Sequence, residues 1–314
     1  MPQLSKEDLA NIAHDYYLSK LNIGDISQKY DLSRYLITKA LEDAEKSGIV
    51  RISIYHGVKR NEELERIFQD KFGLKEAIIL NNFETATQDN EAIIDQAAKQ
   101  IQSYIKSAHN VGMTWGALMH DIVNSFEADD REDLNFVQIL GQAIHSNKRK
   151  NQLVQIAADK FNANSKFLPA PLYVHNHEYI EAMQKEPFFS YLEDDYHNLD
   201  LLIASVGTIE SIRVNSFVEK YYWDVLFEDV DINKQVGMIF GRPYDINGNF
   251  VERFEDYTCG ISMKDIMHTP TRFVVVKNRF KTRALLGALR TGVITHLVTN
   301  EDIANKVIKE IERR

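Results

Sequence analysis

From residue 77 onward the chain alternates short apolar runs with longer stretches of helical period, and this alternation restricts it more than any single motif does. Residues 77–80, Val111, 136–140, 199–205, 235–240, 273–276 and 296–299 read as buried strands. Residues 91–106, 115–126, 152–161, 279–290 and 301–312 between and after them read as helices. A strand, a crossover helix and a second strand in that order bring the strands together parallel, because the helix returns the chain to the end at which the first strand began. The expected class is α/β, a largely parallel sheet flanked by helices in the Rossmann-like manner. There is no internal repeat and no low-complexity tract.

The alternation does not reach back to the N-terminus. Ser5 is placed to cap a helix whose apolar positions Leu9, Ile12, Ala13, Tyr16 and Tyr17 follow a 3.6-residue period, with Glu7 and Asp8 at its positive end. Residues 23–30 form a second short helix, Asp31-Leu32 a tight turn, and Ser33 the N-cap of a third helix reaching about Lys46 and stopped by Gly48. Residues 49–55 are β-branched and alternating, and His56-Gly57 supplies a turn, which predicts a small β-wing. At 314 residues the chain exceeds the usual single-core size of roughly 100–200 residues, so two domains are expected, 1–58 and 59–314. Residues 61–72, with Leu64, Ile67, Phe68 and Phe72 on one face and Gly73 at the end, form a linker helix or dimer contact at the start of the second.

Charge separates the same two parts. Residues 1–60 carry nine Lys/Arg against eight Asp/Glu, whereas residues 61–314 carry 28 against 38. In the third helix Leu36, Ile37, Ala40, Leu41 and Ala44 form one apolar stripe, which leaves Arg34, Tyr35, Thr38 and Lys39 on the opposite face, beside the cap Ser33. These are donors in the N-terminal turns, where a recognition helix meets base edges and phosphates of double-stranded DNA. The plainer alternative is a three-helix bundle for protein contact. Near-neutral charge weakens phosphate attraction, so dimerisation is expected to compensate.

In the second part, Gly112-Met113-Thr114-Trp115-Gly116 joins a short strand to a helix start. Backbone N–H groups at a helix N-terminus bind phosphate or carboxylate, and glycine lets the ligand come close, although glycine at such a turn is also structurally routine. A basic cluster, Lys277, Arg279, Lys281 and Arg283 followed by Arg290, reads as a solvated helix face or as a group at a strand end, where ligands gather in a parallel sheet. Lys281 is the preferred anion partner. His175-Asn176-His177 lacks a third metal ligand and reads as a surface loop, so no metal and no cofactor is expected. Glu193-Asp194-Asp195 reads as a solvated acidic loop. Trp115 and Trp223 read as packing residues, Trp115 the better placed to line a pocket. The single cysteine, Cys259, reads as a small buried hydrophobe; one cysteine excludes an intramolecular disulfide and fits a reducing compartment. The first residues lack the pattern of a signal peptide and no run of about 18 apolar residues occurs, so a cytoplasmic protein with no membrane contact is expected. Walker A, G-x-G-x-x-G, G-x-S-x-G and H-E-x-x-H patterns are absent. No placed general base supports an isomerase-like enzyme, the competing class, and a protein-interaction module with a degenerate pocket is the third reading.

The landmarks Ile26-Ser27-Gln28-Lys29-Tyr30-Asp31-Leu32-Ser33-Arg34, Lys71-Phe72-Gly73-Leu74-Lys75-Glu76-Ala77, Gly112-Met113-Thr114-Trp115-Gly116, Leu168-Pro169-Ala170-Pro171, Val206-Gly207-Thr208, Val236-Gly237-Met238-Ile239-Phe240-Gly241-Arg242-Pro243-Tyr244-Asp245 and Gly287-Ala288-Leu289-Arg290-Thr291-Gly292 occur in one order. In that order the chain resembles the SorC family of bacterial transcriptional regulators from about Leu9 to Ile308. The resemblance implies a winged helix-turn-helix, then an effector domain similar to sugar-phosphate isomerases, assembled as a dimer of dimers. It implies operator DNA and a small anionic metabolite, a phosphorylated sugar first, as partners, and no catalysis. Gly112, Met113, Thr114, Trp115, Gly116, Gln142, Met238 and Lys281 are the effector-binding residues it implies. Three departures bear on the effector. Met238 replaces an acidic residue suited to sugar hydroxyls, and Lys277-Asn278 replaces a glycine pair and adds positive charge, which keeps a di- or tricarboxylate such as citrate open. Leu140 replaces the lysine with which a deoxyribose-phosphate-responsive member forms a Schiff base, which excludes that covalent mode.

Overall fold

The computed structural model describes residues 4–50, 58–142 and 152–313. The chain divides into two compact units, Met1–Gly57 and Val58–Arg314. The wing expected over residues 49–57 falls mostly on 51–57, outside the described residues.

The smaller unit consists of α1 (Lys6–Tyr17), α2 (Ile23–Tyr30) and α3 (Arg34–Lys46). Ser5 and Asp8 cap α1 reciprocally, Asn22 caps α2 and Ser33 caps α3. Asp31, at φ 52°, makes the left-handed turn between α2 and α3. Leu9, Ile12, Ala13, Ile26, Ile37, Ala40, Leu41 and Ala44 form one core, and Leu36 of the expected apolar stripe is only half-buried. Polar ties hold the three helices in register. Buried Asp15 of α1 accepts from Lys29 at 2.7 Å and from the Tyr30 hydroxyl at 2.8 Å, and these bonds hold its carboxyl below the usual range. The Tyr17 hydroxyl donates to Glu45 at 2.7 Å, which pushes the phenol up to about 12.

The larger unit begins with α4 (Glu62–Phe72), which Gly73 ends at φ 66°. Then come β1 (Glu76–Leu80), α5 (Ala86–Ile105), β2 (Asn110–Met113), α6 (Ala117–Asn124), β3 (Asn135–Gln138), α7 (Leu153–Phe161) and β4 (Asn164–Lys166). Next are α8 (His177–Gln184), α9 (Pro187–His197), β5 (Leu201–Ser205), α10 (Ile209–Arg213), α11 (Ser216–Tyr221) and α12 (Trp223–Leu226). The chain continues through β6 (Gln235–Ile239), β7 (Arg242–Asp245), α13 (Arg253–Tyr257), α14 (Met263–His268), β8 (Thr271–Val275), α15 (Thr282–Arg290), β9 (His296–Asn300) and α16 (Glu301–Glu312). Seven strands form one parallel sheet in the order β1-β9-β8-β5-β2-β3-β4. Successive residues face opposite layers: Ile78, Leu80, Leu201, Ile203, Phe273 and Val275 join the core that includes residues of α5, α6 and α7, whereas Ala77, Ile79, Leu202, Ala204 and Val274 join the other. Burial on both faces is why the strands read as continuous apolar runs.

Three expectations are corrected. Residues 235–240 were expected among the sheet strands, but β6 pairs antiparallel with β7 in a separate two-stranded ribbon, turned by Phe240 (φ 50°) and Gly241 (φ 76°). Two consecutive positive φ values are what a two-residue hairpin of type I′ needs. The helix expected from Arg279 begins as a 3₁₀ turn, Arg279–Lys281, set by the Asn278 side chain, and α15 follows only from Thr282. Glu193-Asp194-Asp195 is not a loop: it lies in α9, where Asp195 is buried and pairs with Lys166 at 2.8 Å across to β4.

His296, at the start of β9, gives the larger unit an acid limit. It is buried against Tyr104 and Phe273, with Lys75 and Arg272 nearby, and burial first and those cations second lower its pKa to about 4 from 6.5. A histidine held neutral in the fold stabilises it above the unfolded value, and that contribution disappears as pH falls from about 6.5 towards 4, by roughly 3 kcal/mol in all. Urea midpoints of the larger unit should drop over this window, and by less in His296→Gln. Parallel pH dependences in the two proteins would assign the loss elsewhere.

Candidate effector and DNA sites

Strand order picks out one place on the larger unit. From β2 the chain proceeds through β3 to β4 on one side, while β5, on the other side of β2, leads through β8 to β9. Loops leaving β2 and β5 therefore diverge and open a crevice at their carboxyl ends, the position at which parallel α/β sheets take ligands. It is bordered by Thr114-Trp115-Gly116 after β2, Val206-Gly207-Thr208 after β5 and Val276-Lys277-Asn278 after β8.

On the β2 side Thr114 is nearly buried, and both its N–H and its hydroxyl donate to the Ile203 carbonyl, at 3.1 and 3.4 Å. Gly116 is the N-cap of α6 at φ 150°, a backbone state that side chains rarely adopt, and no atom lies within 4 Å of where a Cβ would stand. No side chain among the described residues caps α6, so its first-turn N–H groups and the positive end of its dipole are left for an anion. The indole N–H of Trp115 donates to the Gly141 carbonyl at 3.0 Å, which ties the loop after β2 to the one after β3 while 39% of the residue stays exposed.

On the other side stand two lysines. Lys281, last residue of the 3₁₀ turn, donates to the Val206 carbonyl at 2.6 Å. Burial, and then the positive charge of Lys277, lower its pKa. Lys277 itself reaches Asp121 of α6 at 3.1 Å. Met238 exchanges both backbone hydrogen bonds with Gly207, at 2.8 and 3.1 Å, and its Cγ lies 2.7 Å from where a Gly207 Cβ would stand. A thioether thus covers the mouth of β5, and cationic charge gathers beside it.

The structure brings Thr114, Trp115, Gly116, Met238 and Lys281 to the borders of the crevice. Gly112 and Met113 stand inside β2 instead. A Cβ at Gly112 would come within 2.7 Å of Leu202 and Ile139, so this glycine answers to packing, and the Met113 side chain is buried in the opposite layer. Gln142 is held through its backbone by Ala170 and Leu172, both at 2.8 Å, on the loop after β3. Leu140 is buried, as an apolar replacement for a lysine requires. Lys277 and Thr208 also stand at the borders of the crevice, where the basic cluster and the Val206-Gly207-Thr208 motif are their sequence signals. The cluster itself comes apart, because Arg283 faces Glu310 at 3.5 Å and Arg290 donates to the Ile246 carbonyl at 2.8 Å.

On the smaller unit Ser33 caps α3 through Leu36 N–H at 3.3 Å, and Arg34, Tyr35, Thr38 and Lys39 are all exposed on the face away from the core. Tyr35 leaves 67% of its surface in water, and the Thr38 hydroxyl donates back to the Arg34 carbonyl at 3.1 Å. Elsewhere, His175 stacks on Tyr222 and His177 pairs with Glu181, and no group of three metal-ligating side chains occurs among the described residues. Burial pushes the Cys259 thiol up to about 12, as expected of an inert core cysteine. No helix among the described residues is long and apolar enough to cross a membrane.

Residues 56–309 match the Sugar-bind family, described as a sugar-binding domain. The chain is similar to the sorbitol operon regulator of Klebsiella pneumoniae, at 24% identity over 96% of this chain and 97% of the relative. It is similar to the deoxyribonucleoside regulator of Bacillus subtilis, at 23% over 94% and 95%. Among solved structures, full-length SorC from Klebsiella pneumoniae matches with a TM-score of 0.69 at 24% identity, covering 96% of this chain and 99% of that one. A transcriptional regulator from Streptococcus pneumoniae matches with 0.73 at 23% identity, covering 80% and 97%. These relatives are named as regulators, not as enzymes.

Proposed function

The chain belongs to the sugar-binding domain family, and from that premise we propose that it is a cytoplasmic, DNA-binding transcriptional regulator of a carbohydrate operon, switched by a small phosphorylated sugar. Residues 1–58 are the DNA-binding part and 59–314 the effector and oligomerisation part. The chain works as a homo-oligomer, a dimer of dimers. The observation that carries this reading is the uncapped start of α6 facing two lysines across the switch-point crevice. That arrangement recognises an anion, and the carboxylate it includes, Asp121, is tied to Lys277. In this reading the phosphate lies on Thr114 and Gly116 with Lys281 as its counter-charge, and the sugar reaches towards Met238.

Two observations favour a second effector class. The Met238 thioether is only a weak acceptor for a sugar hydroxyl, and Lys277, paired with Asp121 at 3.1 Å, brings a second ammonium to the crevice, which suits a di- or tricarboxylate such as citrate. Thermal melting of the full chain with sugar phosphates, the parent sugars and polycarboxylates separates the two, since a ligand bound only by the folded state raises the melting temperature. A shift with phosphorylated sugars and none with parent sugars is the expected result; a shift with polycarboxylates alone would replace the effector class. With the ligand in hand, Thr114→Val should weaken it about tenfold by calorimetry, the value of one good hydrogen bond of roughly 1.4 kcal/mol. Unchanged affinity would remove Thr114 from the site.

A further inference from the structure

The two ammoniums at the crevice are held by acceptors of different charge. Lys281 donates to a neutral one, the Val206 carbonyl, at 2.6 Å, and has no carboxylate partner among the described residues. Lys277 is paired with a charge, the Asp121 carboxylate, at 3.1 Å. An anion that takes Lys281 displaces a carbonyl and gains a charge-assisted bond. An anion that takes Lys277 trades one carboxylate for another and leaves Asp121 without its partner, so the second exchange is much less favourable than the first.

Topology sets this second pair across the crevice. β5 separates β8 from β2 in the sheet, so their carboxyl ends stand about 10 Å apart at the usual strand spacing. Lys277 follows β8, whereas Asp121 belongs to α6, the helix after β2, which packs on β5. The Lys277 side chain therefore reaches over the end of β5, and it meets α6 one turn beyond Ala117, the first residue of the uncapped helix start. Burial first and the charge of Lys277 second lower the Lys281 pKa, which puts the two ammoniums within range of each other. Two cations and one anion thus act as one electrostatic group at the mouth of the site. The pair is also able to open. Lys277 and Asp121 keep 26% and 42% of their side-chain surface in water, so a displaced Asp121 can turn to solvent and need not stay buried and unpaired.

We propose that Asp121 sets how many anionic groups the crevice accepts, by occupying Lys277 as an internal stand-in for a second one. The inference rests on the reading of the crevice as an anion site and adds its selectivity. A ligand with one anionic group takes Lys281 and the α6 N-terminus and leaves the Lys277–Asp121 pair closed, whereas a ligand with two or more must open it. Lys277 rewards a polyanion only after Asp121 has been displaced.

Calorimetric titration of the full chain with inorganic phosphate, pyrophosphate and citrate tests this, on wild type, Asp121→Asn, Lys277→Met and the double variant, with far-UV circular dichroism confirming that each folds. Asp121→Asn is expected to bind pyrophosphate and citrate about tenfold more tightly or better and phosphate within about threefold of wild type, and the gain is expected to vanish in the Lys277→Met background. An equal gain for all three anions, or a gain that survives without Lys277, would reduce Asp121 to general repulsion and overturn the proposal. Unchanged affinities in Asp121→Asn would overturn it too, while leaving the anion site standing. Failure of all three anions to bind either wild type or Asp121→Asn would overturn the anion-site reading and the proposal together.

Discussion

Arg34→Ala is expected to lower affinity for operator DNA by about ten- to a hundredfold, or roughly 1–3 kcal/mol, and to relax the base preference at one position. The side chain leaves the first turn of α3 on the face opposite Ile37, Ala40, Leu41 and Ala44, with the helix end fixed by Ser33. Nothing in the core changes with it, so ligand-induced stabilisation of the larger unit should be unaltered. Lys39→Ala, one turn further on, should instead weaken all sequences alike and reduce the salt slope by about one, as loss of a phosphate contact does. Fluorescence anisotropy at two salt concentrations separates these outcomes. Loss of DNA binding together with loss of ligand stabilisation would show misfolding and remove the role assigned to α3.

Lys281→Met is expected to weaken the effector by roughly thirty- to a thousandfold, about 2–4 kcal/mol, because the anion would keep its desolvation cost and lose its counter-charge. The ligand-free protein should melt close to wild type, since burial and the charge of Lys277 already work against the ammonium. The same two causes give the wild type a pH signature. A bound anion favours the charged amine, so binding takes up a proton wherever free Lys281 is partly neutral, and affinity falls as pH rises through the lowered lysine value. Calorimetry in buffers of different ionisation enthalpy reads that uptake. Identical affinities for wild type and Lys281→Met would place the anion elsewhere.

Much of this was legible from local rules. Ser5 and Ser33 announce helices because a hydroxyl at the N-cap meets orphan N–H groups, and the parallel sheet follows from runs without polar alternation. Other features depended on contacts that no local rule carries. Phe240 in a left-handed turn contradicts hairpin preferences, and it is buried in the core, which holds the turn in place. Asp195 reads as solvated until β4 brings Lys166 beside it. Gly112 reads as a ligand-approach glycine, whereas Leu202 and Ile139 on neighbouring segments occupy the space of its side chain. The crevice itself emerges from strand order, and strand order is set by which runs pair, not by any run alone.

One linkage is central to the proposed switch: the effector in the crevice and DNA on α3 must alter each other's affinity by the same factor. Duplexes selected from a random library by the full chain supply the DNA, and the melting panel supplies the ligand. Titrating that DNA with and without saturating ligand should change its dissociation constant by about tenfold or more, a coupling of roughly 1.4 kcal/mol, and Lys281→Met should abolish the change. A ligand that binds the wild-type crevice yet leaves DNA affinity unchanged would contradict the account.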